Sequence, residues 1–345
     1  MEEVSLMKAY TNEAASFTNG AEVDINGTKL KDNHANGHVL GSSSSSVDSV
    51  LIAIGDPEPS PPKFPKEPKK LLISGLFLFA AAIVNDSVLA WIHDRVPETP
   101  PLPDLVFTYT SYYPTALIFS EYIIITCGSV MLVVCFLHKH RWIVFRRVLF
   151  MLALLYLGRT VCMLVTQLPV ADPSYYCAPK LNRTGPIIVA SRALKLVSGA
   201  GLFINGKHMY CGDYIYSGHT LILVMSYLVT REYSPRRFWH LHWLMWIASA
   251  IGVVCILLSR GHYTVDVIIA YYITTRTFWL YHTLANYTPL KESAASNLLS
   301  RECWFRFFRY MEQNVGASVP RQFEWPLPWP RFLVRPSLIT NRYAH

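Results

Sequence analysis

Long apolar runs set the first constraint on this chain. Six windows of about twenty residues lack the charge that a soluble helix would carry: 71–92, 116–137, 144–168, 214–233, 238–258 and 265–284. At 1.5 Å per residue, about 20 residues cross the roughly 30 Å of a bilayer's hydrocarbon layer. Only 16% of the 345 residues are charged, against about 25% in an ordinary soluble domain, and the mean hydropathy is +0.25. The expected fold class is therefore all-α, a polytopic membrane protein with six transmembrane helices. The net charge of +8 needs no nucleic acid to explain it, because basic residues are commonly retained beside membrane spans.

The flanks divide the chain into three parts. Residues 1–70 show no hydrophobic period and contain Ser42 to Ser46 and a proline cluster from Pro57 to Pro68. Such a segment buries too little apolar area to offset its ordering entropy, so a disordered N-terminal tail is expected. No cleavable signal peptide is expected, and the first run would act as an internal anchor. Residues 71–285 form the transmembrane catalytic domain in this reading, and 286–345 a cytosolic C-terminal tail. Lys66, Lys69 and Lys70 precede the first run. Lys139, Arg141, Arg146 and Arg147 lie between the second and third, and Arg231, Arg236 and Arg237 between the fourth and fifth. The positive-inside bias of these short loops places both termini in the cytosol. The long loop 169–213 runs against that bias, with Lys180, Arg183, Arg192, Lys195 and Lys207, and the short loops decide. Residues 93–115, 169–213 and 259–264 are then outside, together with the sequon Asn182-Arg183-Thr184.

Chemistry-bearing residues gather at two places on that outer side. One is Cys211-Gly212-Asp213-Tyr214-Ile215-Tyr216-Ser217-Gly218-His219-Thr220, leading into the fourth run. The other is Ser259-Arg260-Gly261-His262-Tyr263-Thr264-Val265-Asp266, leading into the sixth. Topology alone thus brings His219 and His262 to one membrane face. His262 and Asp266 are i and i+4, which on a helix shares a face. A carboxylate there fixes the imidazole tautomer and leaves the other nitrogen free to attack phosphorus. His219 can then protonate the departing alkoxide and later take a proton from the incoming hydroxyl. Gly212 and Gly218 are expected to let backbone approach a phosphate. Plainer readings exist for each: an interfacial histidine, or a structural His/Asp hydrogen bond. Zinc is not expected, since no further His or Cys stands at ligand spacing, and no cofactor is called for. Cys177 and Cys211 both fall outside, where a disulfide and two free thiols are both open.

Taken together, these residues resemble motifs of the lipid phosphate phosphatase superfamily, and within it the sphingomyelin synthase family. Ser217-Gly218-His219 and His262-x-x-x-Asp266 carry the superfamily resemblance. Cys211 to Thr220, His262 to Tyr272, Pro101-Leu102-Pro103-Asp104, and Arg146-Arg147 with Tyr156, Arg159 and Thr166 to Pro169 carry that to the family, over roughly residues 66–330. The resemblance implies transfer of phosphocholine from phosphatidylcholine to ceramide, giving sphingomyelin and diacylglycerol. It implies a catalytic triad of His262 as nucleophile, Asp266 as its orienting partner and His219 as acid/base. Glu121, inside the second run, matches a family glutamate and would orient His219 or meet the choline ammonium. Asp213, Tyr214 and Arg159 are further substrate-contact candidates. The Lys-rich first motif of the broader phosphatases is absent, and one residue instead of five separates Arg260 from His262, which weakens a phosphate-gripping role for Arg260. No SAM domain fits in residues 1–70. The family places such enzymes in the Golgi or plasma membrane, with the site on the lumenal or extracellular face. Ceramide phosphoethanolamine synthase and a lipid phosphatase are the alternatives. Homo-oligomerisation stays open. A transporter would show repeat symmetry and paired helix breaks, and neither is seen.

Overall fold

In the computed structural model, the described residues are 64–174, 177–181, 185–199, 210–292 and 297–326. Residues 1–63 of the expected tail lie outside them, as do the sequon at 182–184 and Lys207. Among these described residues nine α-helices follow in chain order: α1 Pro68–Ile92, α2 Leu105–Tyr109, α3 Thr115–Leu137, α4 Arg141–Val165, α5 Pro186–Ser198, α6 Gly218–Tyr233, α7 Trp239–Leu258, α8 Thr264–Asn286 and α9 Phe305–Glu312. No strand occurs among the described residues, only an isolated bridge between His138 and Phe323.

Among the described residues, four stretches are long and apolar enough to cross a membrane: Pro68–Arg95, Thr115–Leu137, Arg141–Val165 and Arg236–Leu258. The fourth and sixth expected spans differ. The fourth was expected from Tyr214, but α6 starts at Gly218 because Ser217 caps it, its Oγ accepting the Thr220 amide at 3.2 Å. The 16 residues that remain reach about 24 Å. α8 has 23 residues and the length to span, but Asp266, Arg276 and its threonines make it polar.

Packing follows the apolar stripes. α1 lies along α4 and α5. α3 packs on α6 and α7, and α6 on α7 and α8. The main core joins Phe150, Met151 and Leu155 of α4, Leu221 and Met225 of α6, and Ala270, Phe278 and Tyr281 of α8. Phe305, Phe308 and Met311 of α9 close this core from below, all fully buried. Polar contacts pin the same end. Arg147 makes a two-pronged pair with Glu312 at 3.1 and 2.7 Å, Tyr281 donates to Glu312 at 3.0 Å, and Arg146 pairs with Glu67 at 2.8 Å. Main-chain bonds from Lys139 to Gln322 and from Glu324 to Leu137, each 2.8 Å, hold the following segment to the α3–α4 turn. The stretch expected to trail as a C-terminal tail is therefore, over residues 297–326, packed against the helices.

Candidate active site

The site is built where α6 and α8 begin. Asp266 is the third residue of α8, and its carboxylate turns back to accept the Tyr263 amide at 3.0 Å, closing a capping box. Its other oxygen accepts the Ile215 amide at 3.1 Å, and the Ser217 amide reaches the Asp266 carbonyl at 3.3 Å. One residue thus fastens the loop ahead of α6 to the start of α8. His219 occupies the first turn of α6, and His262 stands two residues before α8. Their ring centroids are 5.7 Å apart, with planes at 63°.

His262 Nδ1 lies 3.7 Å from Asp266 Oδ2, and both side chains are buried. The pair does not share a helical face as expected. α8 starts after His262, and the two meet because the capping turn folds the carboxylate back. Among the described residues, His262 Nδ1 and His219 Nε2 are both buried with no hydrogen-bond partner. Buried polar groups are ordinarily satisfied, so the orphaned His219 Nε2, beside the cleft, marks a place for another molecule's atoms, whereas His262 Nδ1 is turned toward the Asp266 carboxylate. Leu117, Tyr210, Asp213 and Tyr214 line the cleft beside them, about 20 Å³ in volume, enough for a water-sized group.

The remaining candidates surround this pair in distinct ways. Arg159 of α4 is buried, and its guanidinium is committed to the chain: Nε donates to the Tyr216 carbonyl at 2.9 Å, Nη1 to Asn85 Oδ1 at 2.9 Å, and Nη2 pairs with Asp213. Asp213 itself lines the cleft. Tyr214 presents its ring edge-on to His262 at 6.1 Å and accepts the Ala171 amide at 3.1 Å. Glu121 is buried on α3 one turn, about 6 Å along the axis, below Leu117. The two glycines serve packing. A Cβ at Gly212, whose φ is +106°, would stand 2.7 Å from Val96 Cγ2, and one at Gly218 would meet the Arg159 guanidinium at 3.4 Å. The lack of a side chain leaves room for Val96 and for Arg159, a reason different from the expected phosphate approach. No three His, Cys, Asp or Glu side chains gather as a metal site among the described residues.

Supporting residues surround the site, some of them raised by the sequence and others, such as His93, not. Cys177 and Cys211 form a disulfide, with Cα atoms 5.6 Å apart. His93 clamps its two sides, accepting the Cys211 amide at 2.9 Å and meeting the Ala178 carbonyl at 3.1 Å. Asp104 caps α2 and accepts both the amide and hydroxyl of Thr264 at 2.7 Å. Burial pushes the Asp104 carboxyl up, but the bonds from Thr264, Phe107 and Val106 outweigh it and hold the pKa below the usual carboxylate value. Tyr263 Oη accepts the Leu102 amide at 3.1 Å and donates to the Pro169 carbonyl at 3.2 Å. Arg260 is occupied by Asp172 at 2.6 Å. An aspartate just before Leu105-Val106-Phe107 is a helix-cap signal that the sequence did carry.

Residues 210–283, which hold both histidines and the carboxylate, match the family model described as PAP2 superfamily C-terminal. Phosphatidylcholine:ceramide cholinephosphotransferase 1 of Rattus norvegicus is 44% identical over 283 residues, 81% of this chain and 67% of the relative. Phosphatidylcholine:ceramide cholinephosphotransferase 2 of Homo sapiens is 44% identical over 282 residues, covering 81% and 77%. The type 1 protein of Gallus gallus is 40% identical over 311 residues, covering 89% and 74%. The chain belongs to this family, that of the sphingomyelin-synthase-type cholinephosphotransferases, and is a transferase with the helices of a multi-pass membrane protein.

Proposed function

We propose that the chain transfers phosphocholine from phosphatidylcholine to ceramide, giving sphingomyelin and diacylglycerol through a phosphohistidine at His262. The observation that carries this reading is the close pair of buried imidazoles, His219 and His262, 5.7 Å apart, with the Asp266 carboxylate on the Nδ1 side of His262. Asp266 sits on the Nδ1 side of His262, so Nε2 is the attacking atom. The P–N bond forms as the P–O bond to diacylglycerol breaks, and protonated His219 gives its proton to the leaving oxygen. Ceramide's primary hydroxyl then loses its proton to His219. Its oxygen takes the phosphorus, the P–N bond breaks and His262 is restored.

Six crossings complete the reading, with α6 and α8 as the fourth and sixth. The catalytic domain is 71–285, and both termini are cytosolic, residues 297–326 folding back beneath the helices on that side. The cleft faces the lumen or exterior, in Golgi or plasma membrane. A burial as complete as that of His262 and Asp266 keeps bulk water from competing with ceramide. Membranes carrying the chain are to be incubated with labelled ceramide and each donor lipid in turn. Labelled sphingomyelin from the choline donor is the expected product. Ceramide phosphoethanolamine from the ethanolamine donor alone, or donor hydrolysis indifferent to ceramide, would replace this reading.

A further inference from the structure

We infer that the ends of α6 and α7 remote from the histidines carry a second lipid site, which takes a net-anionic glycerophospholipid by its head group. Along α6, Arg231 is twelve residues beyond His219, about 18 Å down the axis. Tyr227 and Arg231, at i and i+4, share one face of α6. On α7, Trp239, His242, Trp243 and Trp246 recur at i, i+3, i+4 and i+7, one face again. The six side chains line a single groove of about 410 Å³.

Charge decides the kind of occupant. Arg231 donates Nη1 to Tyr227 Oη at 2.9 Å and has no ion pair with a carboxylate among the described residues. Its neighbour Glu232 is taken by Arg321 at 2.8 Å. Arg236 and Arg237 follow on the short turn to α7, while His242 uses Nε2 on Ser234 Oγ at 2.6 Å. The groove therefore offers the Arg231 guanidinium with no carboxylate paired to it among the described residues, and an anionic phosphate or carboxylate complements it. The body is apolar, its three tryptophans each about half exposed. Tryptophan belts mark membrane–water interfaces, and an acyl chain is the apolar matter available between two membrane helices. A zwitterionic lipid would bring its ammonium against Arg231, with Arg236 and Arg237 adding positive charge on the adjoining turn, so the net-anionic head group is preferred. The inference rests on the proposed membrane-crossing of α6, but not on the transfer reaction.

Tryptophan quenching reads the site directly. The full chain in phosphatidylcholine nanodiscs is titrated with bromine-labelled phosphatidylserine or with bromine-labelled phosphatidylcholine at equal bromine content. Expected is a saturable excess of quenching by the serine lipid, with Arg231→Gln moving half-saturation by about tenfold and Arg231→Lys by less. Equal quenching by the two lipids, or an excess unchanged in Arg231→Gln, would overturn the site. Loss of the excess to soluble glycerophosphoserine at similar concentration would also overturn it, by making the ligand a free anion. The melting temperature and transferase rate of Arg231→Gln are expected to stay unchanged, which excludes misfolding as the cause. Quenching that persists in a chain lacking transferase activity would count against the proposed reaction and leave this site standing.

Discussion

The Asp266 carboxylate reaches His262 as a group already anchored, one oxygen on the Ile215 amide and the other on the Tyr263 amide, 3.7 Å from the ring. Asp266→Asn keeps the shape but gives up the charge that stabilises the imidazolium, and it leaves one of the two amides facing an NH2. A transfer rate lower by about 10³-fold or more is expected, with a trace remaining. Initial rates in membranes holding equal amounts of protein test this; a rate within a few-fold of the parent would remove Asp266 from its role.

His262→Ala and His219→Ala are each expected to abolish transfer, since groups that act as a unit lose nearly all their rate together. The two should differ in one readout. With donor labelled in the phosphocholine group, His219→Ala retains the nucleophile and can trap acid-labile label on the peptide containing His262, whereas His262→Ala cannot. Label on His219, or on neither residue in a competent enzyme quenched during turnover, would redirect the mechanism.

Gly212 gives a packing prediction. Ala at this position combines a backbone at φ +106° with a methyl 2.7 Å from Val96 Cγ2. The backbone alone costs roughly 1–3 kcal/mol. Gly212→Ala is expected to melt earlier and to lose activity, and adding Val96→Ala relieves the collision but not the backbone, restoring part of the loss. Thermal melts of the three proteins in one detergent decide it, and an unaltered Gly212→Ala would contradict the geometry.

Glu312 lies 165 residues beyond Arg147, yet the two form a fully buried pair. Removing one partner leaves an uncompensated charge, a loss of about 3–5 kcal/mol. Glu312→Leu should therefore melt well below the parent, while Arg147→Met with Glu312→Leu should recover part of the difference. At low temperature the surviving fraction should transfer phosphocholine normally. Equal melting of the single and double variants would show that the charge is not what matters.

Asp104 ties the first loop to α8, and its folded pKa is depressed. Its contribution to stability is then complete above the ordinary carboxylate pKa of about 4 and is lost as pH falls through the lower folded value. The melting difference between parent and Asp104→Asn should be constant from pH 7 to 5 and shrink only below about 4. A difference that fades already between pH 7 and 6 would assign the effect to another group.

How much of this was legible varied with the range of the interaction. Apolar runs recover α1, α3, α4 and α7 within a few residues, because a bilayer fixes both length and composition. The start of α6 was misplaced by four residues, since Tyr214 and Ile215 look apolar, and the Ser217 cap outranks them locally. His219, His262 and Asp266 were visible through chain topology, and the structure brings the three together. His93, Asp172 and the role of Tyr263 were not visible, because each acts on main-chain atoms or side chains far along the sequence that carry no pattern of their own. The α9 segment was read as a tail for the same reason. Eight residues of mixed charge look soluble until Arg147 and Tyr281 are seen against Glu312.

The disulfide closes a loop whose far end lies two residues before Asp213 and eight before His219. The stretch of chain that carries Asp213 and His219 is thus stapled by a bond that persists only where thiols are oxidised. A copy held in reducing surroundings would keep every one of its site residues while losing the tether that sets their register. The redox state of the surroundings is thus tied, through one covalent bond, to the placement of the chain around His219.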